Sequence, residues 1–280
     1  MLVNLKEILV IAQKEKNAIG MFNATGFDSL QAVVSGAEEL NRPVIIAHAE
    51  VHNVYNDISM VGPAMIAVAK KAKVPVCVHL DHGESLEMID KALQIGFTSV
   101  MIDASSLPYE QNLELTKMVV EKAHALNVSV EAELGRMTTG EDGKEKWLNS
   151  KPEDFYTDEK EAKEFCLQTG VDALAIAFGT AHGFYKSQPK LDFNVVKKVA
   201  LATGLPLVMH GGSGVSEEGF KKAIENGIRK INYYSYMSKA GYNAAKKVIE
   251  SNTTNYLHDV EFEAMKAMKE DVKNAIKIFS

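Results

Sequence analysis

The feature that most constrains this chain is its rhythm: short β-branched runs alternate with longer stretches of helical periodicity, and the pair recurs eight times. The predicted strands are Ile19–Ala24, Pro43–Ala49, Pro75–Asp81, Ser99–Ala104, Ser129–Leu134, Ala173–Gly179, Pro206–Met209 and Arg229–Tyr233. Between them the apolar spacing predicts helices over Phe27–Asn41, Met60–Ala72, Ser85–Gln94, Asn112–Leu126, a segment capped by Thr157 and ending at Thr169, Phe193–Ala202 and Ser216–Asn226. Two more, Tyr236–Ser251 and Val260–Ile278, close the chain. Eight such pairs in 280 residues predict an α/β fold, a (β/α)8 TIM barrel with additional C-terminal helices. A doubly wound open sheet would need fewer strands and a dinucleotide fingerprint, and no Gly-x-Gly-x-x-Gly opens a helix. No linker interrupts the pattern, so residues 1–280 read as a single domain. From Gly135 to Phe155 neither period holds, which marks a long loop of the kind that serves as a lid.

In such a barrel, chemistry sits at the carboxyl ends of the strands. The stretch Val76–Gly83 runs apolar and then ends in Asp81, His82 and Gly83. Neighbouring strand residues point to opposite faces, so Asp81 and His82 reach one pocket only if the backbone turns between them, a turn that Gly83 would permit. His182 and His210 follow two later strands, and Glu131 and Glu133 lie within another. Three imidazoles from three strand ends can converge on one Zn²⁺ with a position left for substrate. Taken singly, a histidine is more often a satisfied core or surface residue than a ligand; their shared placement raises the three together. His48, His52, His79, His124 and His258 are read as non-ligands.

Gly211-Gly212-Ser213-Gly214 follows His210 directly and leads toward the Ser216 helix start. It is either a tight turn or an anion cradle built of backbone N–H groups, with Asn232 and Ser235 supplying an amide and a hydroxyl. Phosphate plus metal suggests a small phosphorylated sugar. A net charge of -6 without a basic stripe argues against nucleic acid, no apolar run is long enough to span a bilayer, and Cys77 and Cys166 stand apart without metal or redox spacing, as expected of a protein of the reducing cytoplasm.

The runs Phe22-Asn23, Leu80–Gly83, Met101–Ser105, Glu131–Gly135, Gly179–Tyr185, His210–Gly214 and Ile231-Asn232 together resemble the class II, metal-dependent ketose-bisphosphate aldolases, most closely the tagatose-bisphosphate branch. The likeness covers essentially the whole chain in order. It implies reversible cleavage of a ketose bisphosphate such as fructose or tagatose 1,6-bisphosphate to dihydroxyacetone phosphate and an aldehyde, through a zinc-stabilised enediolate. It also implies His82, His182 and His210 as zinc ligands, and Asp81 as the acid that handles the C4 hydroxyl proton. Glu133, with Asp103 nearby, would serve a second or alternative ion, and Glu141 on the long loop would exchange a proton with the donor carbon. The phosphate cradle would comprise Gly183, Gly211, Ser213, Asn232 and Ser235, with Asn23 also on the substrate. Family members suggest a homodimer or homotetramer.

Some positions depart from the family pattern. Ala49-Glu50 stands where members usually carry Ser or Thr, so an acid is expected near the distal end of the substrate. An Asp-Pro-Arg before the last helix is replaced by Thr254–His258, and a loop Gly-Gly by Thr138-Thr139. These changes motivate an alternative substrate, a ketose 1-phosphate lacking the distal phosphate. Other readings are a non-catalytic phosphosugar sensor, a hydrolase barrel, for which the first strand lacks His-x-His, and a Schiff-base aldolase, which needs a lysine facing the barrel lumen.

Overall fold

A computed structural model describes residues 1–135, 138–139, 155–185 and 189–280. Eight parallel strands close into a barrel: β2 (Ile19–Asn23), β3 (Val44–Ala49), β4 (Val76–Gly83), β5 (Ser99–Ile102), β6 (Ser129–Leu134), β8 (Ala173–Ile176), β10 (Leu207–Met209) and β11 (Ile228–Asn232). Closure is made by β11 on β2 and by β4 on β5. The helices α2 (Phe27–Leu40), α3 (Ile58–Lys71), α4 (Leu86–Ile95), α5 (Tyr109–His124), α6 (Glu159–Thr169), α7 (Phe193–Thr203) and α8 (Glu217–Asn226) alternate with these strands. Two more, α9 (Ser235–Ser251) and α10 (Leu257–Phe279), pack on one another, and α10 lies against α2. The predicted barrel with extra C-terminal helices is therefore the fold observed.

The strand residues sort by parity. Outward-facing Phe22, Ile46, Val78, Leu80 and Val100 are fully buried beneath the helices. Inward-facing Ile19, Met21, Ile45, Ala47, Cys77, Ala175 and Val208 form a smaller apolar layer at the amino end of the barrel. That layer is closed by an element the strand rhythm did not predict, α1 (Leu5–Glu15), which inserts Leu5, Ile8, Leu9 and Ala12. An Asn4/Glu7 capping box starts α1, and this local signal is present in the sequence. Ahead of it, β1 (Leu2–Val3) pairs with the start of β4. Because Leu9 is wholly buried in this plug, Leu9→Ala is expected to lower the unfolding free energy by about 2–5 kcal/mol, measured by denaturant titration.

Thr157 does not cap α6; Asp158 does. The Thr157 hydroxyl instead donates to the Leu134 carbonyl and accepts from the Ala177 N–H, tying the ends of β6 and β8 together. Within the stretch read as aperiodic, Thr138–Thr139 forms a short strand, β7, which pairs in parallel with β9 (Ala181–His182) and sets Thr139 opposite His182.

Candidate active site

Above the apolar plug the inward-facing residues turn polar: His79, Ser99, Glu131 and Lys230 first, then Asn23, Asp81, Asp103, Glu133, His210 and Asn232 at the carboxyl ends. A cavity of about 600 Å³ opens there. Its lining includes Asn23, Ala49, Asp81, His82, Asp103, Glu133, His182, Gly183, Gly211, Ser213, Asn232 and Ser235, so these sequence-predicted residues, drawn from all eight barrel strands and the loops that follow them, converge on one space.

The turn between Asp81 and His82 is real, but its cause differs from the expected one. His82 itself adopts a left-handed backbone, φ 44°, and the register between β4 and β5 shifts between Leu80 and Gly83. This bulge brings a side chain that parity would send outward into the lumen beside Asp81. Gly83 is required for a different reason: a Cβ there would lie 2.7 Å from the Met101 carbonyl oxygen.

The three imidazoles meet. His82 Nε2 lies 3.0 Å from His210 Nδ1, the His82 and His182 rings are 4.9 Å apart, and one ligand nitrogen from each falls within 4.8 Å of the others. His82 Nδ1 contacts Asp103 Oδ2 at 2.7 Å, and His210 Nε2 contacts Glu131 Oε1 at 2.9 Å. With Nε2–H donated to Glu131, His210 turns the lone pair of Nδ1 toward His82, as a metal ligand must. His182 Nε2 and Glu133 Oε2 are buried without a hydrogen-bond partner. Unsatisfied polar atoms of this kind are rare unless an ion or ligand completes them, so the donor set suits a divalent cation. His82, Asp103 and Glu133 form a second converging group that shares His82.

The electrostatics match that description. Burial alone would lower the His82 pKa, yet Asp81 and Asp103 raise it to about 10. Burial, reinforced by the Asp103 charge, lifts the Glu133 carboxyl to about 8, and burial with the neighbouring His82 drops His182 to about 3. At neutral pH the metal-free site therefore holds protons on His82 and Glu133 that an arriving cation displaces. Zinc uptake should release protons and tighten as pH rises, which calorimetry in buffers of different ionisation enthalpy would read; uptake independent of pH would contradict this.

Asp81 is buried and accepts from Asn23 Nδ2 at 2.9 Å and from Asn232 Nδ2 at 3.1 Å. Burial opposes its ionisation, but the charges at His82, His210 and Lys230 hold its carboxyl well below the usual range, so it is a carboxylate. Glu131, on the same strand face as Glu133, does not line the cavity; it lies deeper, against His210 and Lys230. Lys230 is a lumen-facing lysine that the sequence reading missed, and it too stays out of the cavity, with its Nζ held by Glu131 and Asn232.

Gly183, Gly211, Ser213, Asn232 and Ser235 line the same cavity. The helix that begins there is α9, not the Ser216 helix: Ser216 caps α8 with its own hydroxyl, whereas the first turn of α9 has no side-chain cap. Uncapped first-turn N–H groups facing a cavity suit an anion. Tyr185, also missed in the sequence, staples this lining: its hydroxyl donates to the Gly211 carbonyl and accepts from the Ala181 N–H, both at 2.8 Å. A Cβ at Gly211 (φ 64°) would lie 2.3 Å from the Ala181 carbonyl oxygen. Gly211→Ala should therefore lower the thermal midpoint by several degrees, on the order of 2 kcal/mol of strain.

Glu50 lies elsewhere than expected. Its carboxylate accepts from the Glu84 and Ser85 N–H groups and the Ser85 hydroxyl at the start of α4, and it is absent from the cavity lining. His52 and Tyr234 line that end of the cavity instead, their rings 4.9 Å apart. Glu141 falls outside the described residues.

Comparison with known proteins agrees with this geometry. Residues 3–280 match the family described as "Fructose-bisphosphate aldolase class-II". The chain belongs to the class II fructose-bisphosphate aldolase family. The fructose-bisphosphate aldolase of Staphylococcus aureus strain Mu50 is 40% identical over 284 residues, spanning 99% of this chain and 97% of that protein. The crystal structure of the YdjI aldolase from Escherichia coli K12 superposes with a TM-score of 0.88 at 38% identity, covering 100% of this chain and 98% of that one. The fructose-bisphosphate aldolase of Campylobacter jejuni shares the fold, with a TM-score of 0.83 at 21% identity. Among the described residues of this class II family member, no helix is long and apolar enough to cross a membrane.

Proposed function

We propose that this aldolase cleaves a phosphorylated ketose between C3 and C4, releasing dihydroxyacetone phosphate and an aldehyde, with zinc held by His82, His182 and His210. The observation that carries the reading is the convergence of these three imidazoles beside a buried carboxylate, Asp81, in a cavity also lined by Gly183, Gly211 and Gly212. Bound zinc would supply Lewis acidity toward the substrate's C2 and C3 oxygens. Asp81 removes the C4 hydroxyl proton in cleavage and returns it in condensation. Its two oxygens are held by the amides of Asn23 and Asn232, and each keeps a lone pair for the substrate. Gly183, Gly211, Ser213, Asn232 and Ser235 bind the C1 phosphate, with the start of α9 adding N–H groups. Glu133 and Asp103 serve a second or alternative cation beside His82. The carbon-directed proton is assigned to Glu141 through the family resemblance alone.

Fructose or tagatose 1,6-bisphosphate is the default substrate. With Glu50 engaged at α4, the carboxylate expected to repel a distal phosphate is turned away, which favours the bisphosphates over a ketose 1-phosphate. Comparing kcat/KM for both bisphosphates with the ketose 1-phosphates tests this, and a preference for the monophosphates would overturn it. The enzyme is expected to be a homodimer or homotetramer, which sedimentation velocity would read.

A further inference from the structure

We infer that Lys230 is a positioning residue: one buried ammonium fixes the orientation of both Asp81 and His210 and so couples the proton-transfer group to the metal cradle. The inference rests on the proposed metal-dependent aldol chemistry. Lys230 is 0% exposed, in the barrel lumen two residues before Asn232 on β11. Its Nζ lies 2.9 and 3.1 Å from the two oxygens of Glu131 and 2.8 Å from Asn232 Oδ1.

Each contact settles an ambiguity in the side chain beyond it. The two ends of the Asn232 amide have nearly the same shape, and a flipped amide would set its oxygen against the Asp81 carboxylate. The Lys230 ammonium can only donate, so it claims Oδ1 and leaves Nδ2 to donate to Asp81 Oδ1 at 3.1 Å. On the other side, the Lys230 ammonium lies within reach of both Glu131 oxygens and so fixes where that buried carboxylate points. Held there, Glu131 Oε1 accepts Nε2–H of His210 at 2.9 Å, which fixes the tautomer that presents Nδ1 to the site. His79, 3.8 Å from Glu131 and bonded through Nδ1 to the Ser99 hydroxyl, completes the network without reaching the cavity.

The test compares wild type, Lys230→Met and the double variant Lys230→Met/Glu131→Gln. Three quantities are measured: kcat and KM for fructose 1,6-bisphosphate, zinc affinity by chelator competition, and the thermal midpoint of the metal-free protein. Lys230→Met alone leaves an uncompensated buried carboxylate and is expected to be unstable. The double variant removes both charges while the glutamine keeps an acceptor for His210 Nε2–H, so it is expected to regain the wild-type midpoint. The inference predicts that kcat of the double variant stays down by roughly 10–100-fold with KM little changed, and that zinc binds about tenfold more weakly. A double variant with wild-type kcat and zinc affinity would overturn it, because Lys230 would then serve only to neutralise Glu131. If wild type itself binds zinc without turning over the bisphosphate, the functional reading fails instead, and the zinc affinity of the double variant still decides the inference.

Discussion

Replacing His182 by alanine is expected to abolish zinc retention and lower kcat/KM by about 10³-fold or more, while leaving the fold of the metal-free protein intact. The expectation follows from what the side chain does not touch. His182 Nε2 is buried without a partner, so its removal breaks no hydrogen bond at that atom and relieves an unsatisfied group. Burial with the adjacent His82 lowers its pKa to about 3, so it is a neutral imidazole across the working pH range, ready to ligate. Removing a direct ligand should weaken metal binding by more than the roughly 10–100-fold typical of outer partners. Elemental analysis, steady-state kinetics and the thermal midpoint of the chelated protein separate the two effects. An alanine variant that keeps zinc and activity would remove His182 from the ligand set.

Asp81→Asn should lower kcat by roughly 10²–10⁴ with KM and zinc content little changed, because the amide keeps the shape of the carboxylate but cannot take the C4 proton. It should also cost stability. Both Asp81 oxygens accept amide N–H groups, so an amide at this position must set its own NH2 against Asn23 or Asn232, a mismatch of about 1–3 kcal/mol. The kinetic and stability losses are separable: saturating substrate and stabilising temperature restore the folded fraction but not the rate. A variant with wild-type kcat would move the proton-transfer role elsewhere.

Much of this site was legible in the sequence because parallel strands deliver their last residues to one face. The alternation of strands and helices fixed the barrel, and His82, His182, His210, Asp81 and Glu133 then fell at the same end. What escaped the sequence depends on non-local contacts. His82 turns inward through its own positive φ rather than through the glycine that follows it. Glu50 is held at the start of α4 by N–H groups 34 and 35 residues on. Lys230 stands in the run Ile228-Arg229-Lys230-Ile231-Asn232, where Arg229 is half-buried among carbonyls and only Lys230 enters the lumen; the charge pattern alone does not say which. The Glu131–Lys230 pairing joins strands 99 residues apart. The capping box that starts α1, by contrast, was available locally.

The most direct test of the account is to follow dihydroxyacetone phosphate release from fructose and tagatose 1,6-bisphosphate while zinc is stripped by a chelator and then titrated back. Activity is expected to fall to background as bound zinc is lost and to return in proportion to zinc, saturating near one ion per chain. Cleavage that survives complete removal of zinc, or zinc that binds at the three histidines without supporting cleavage of either bisphosphate, would contradict it.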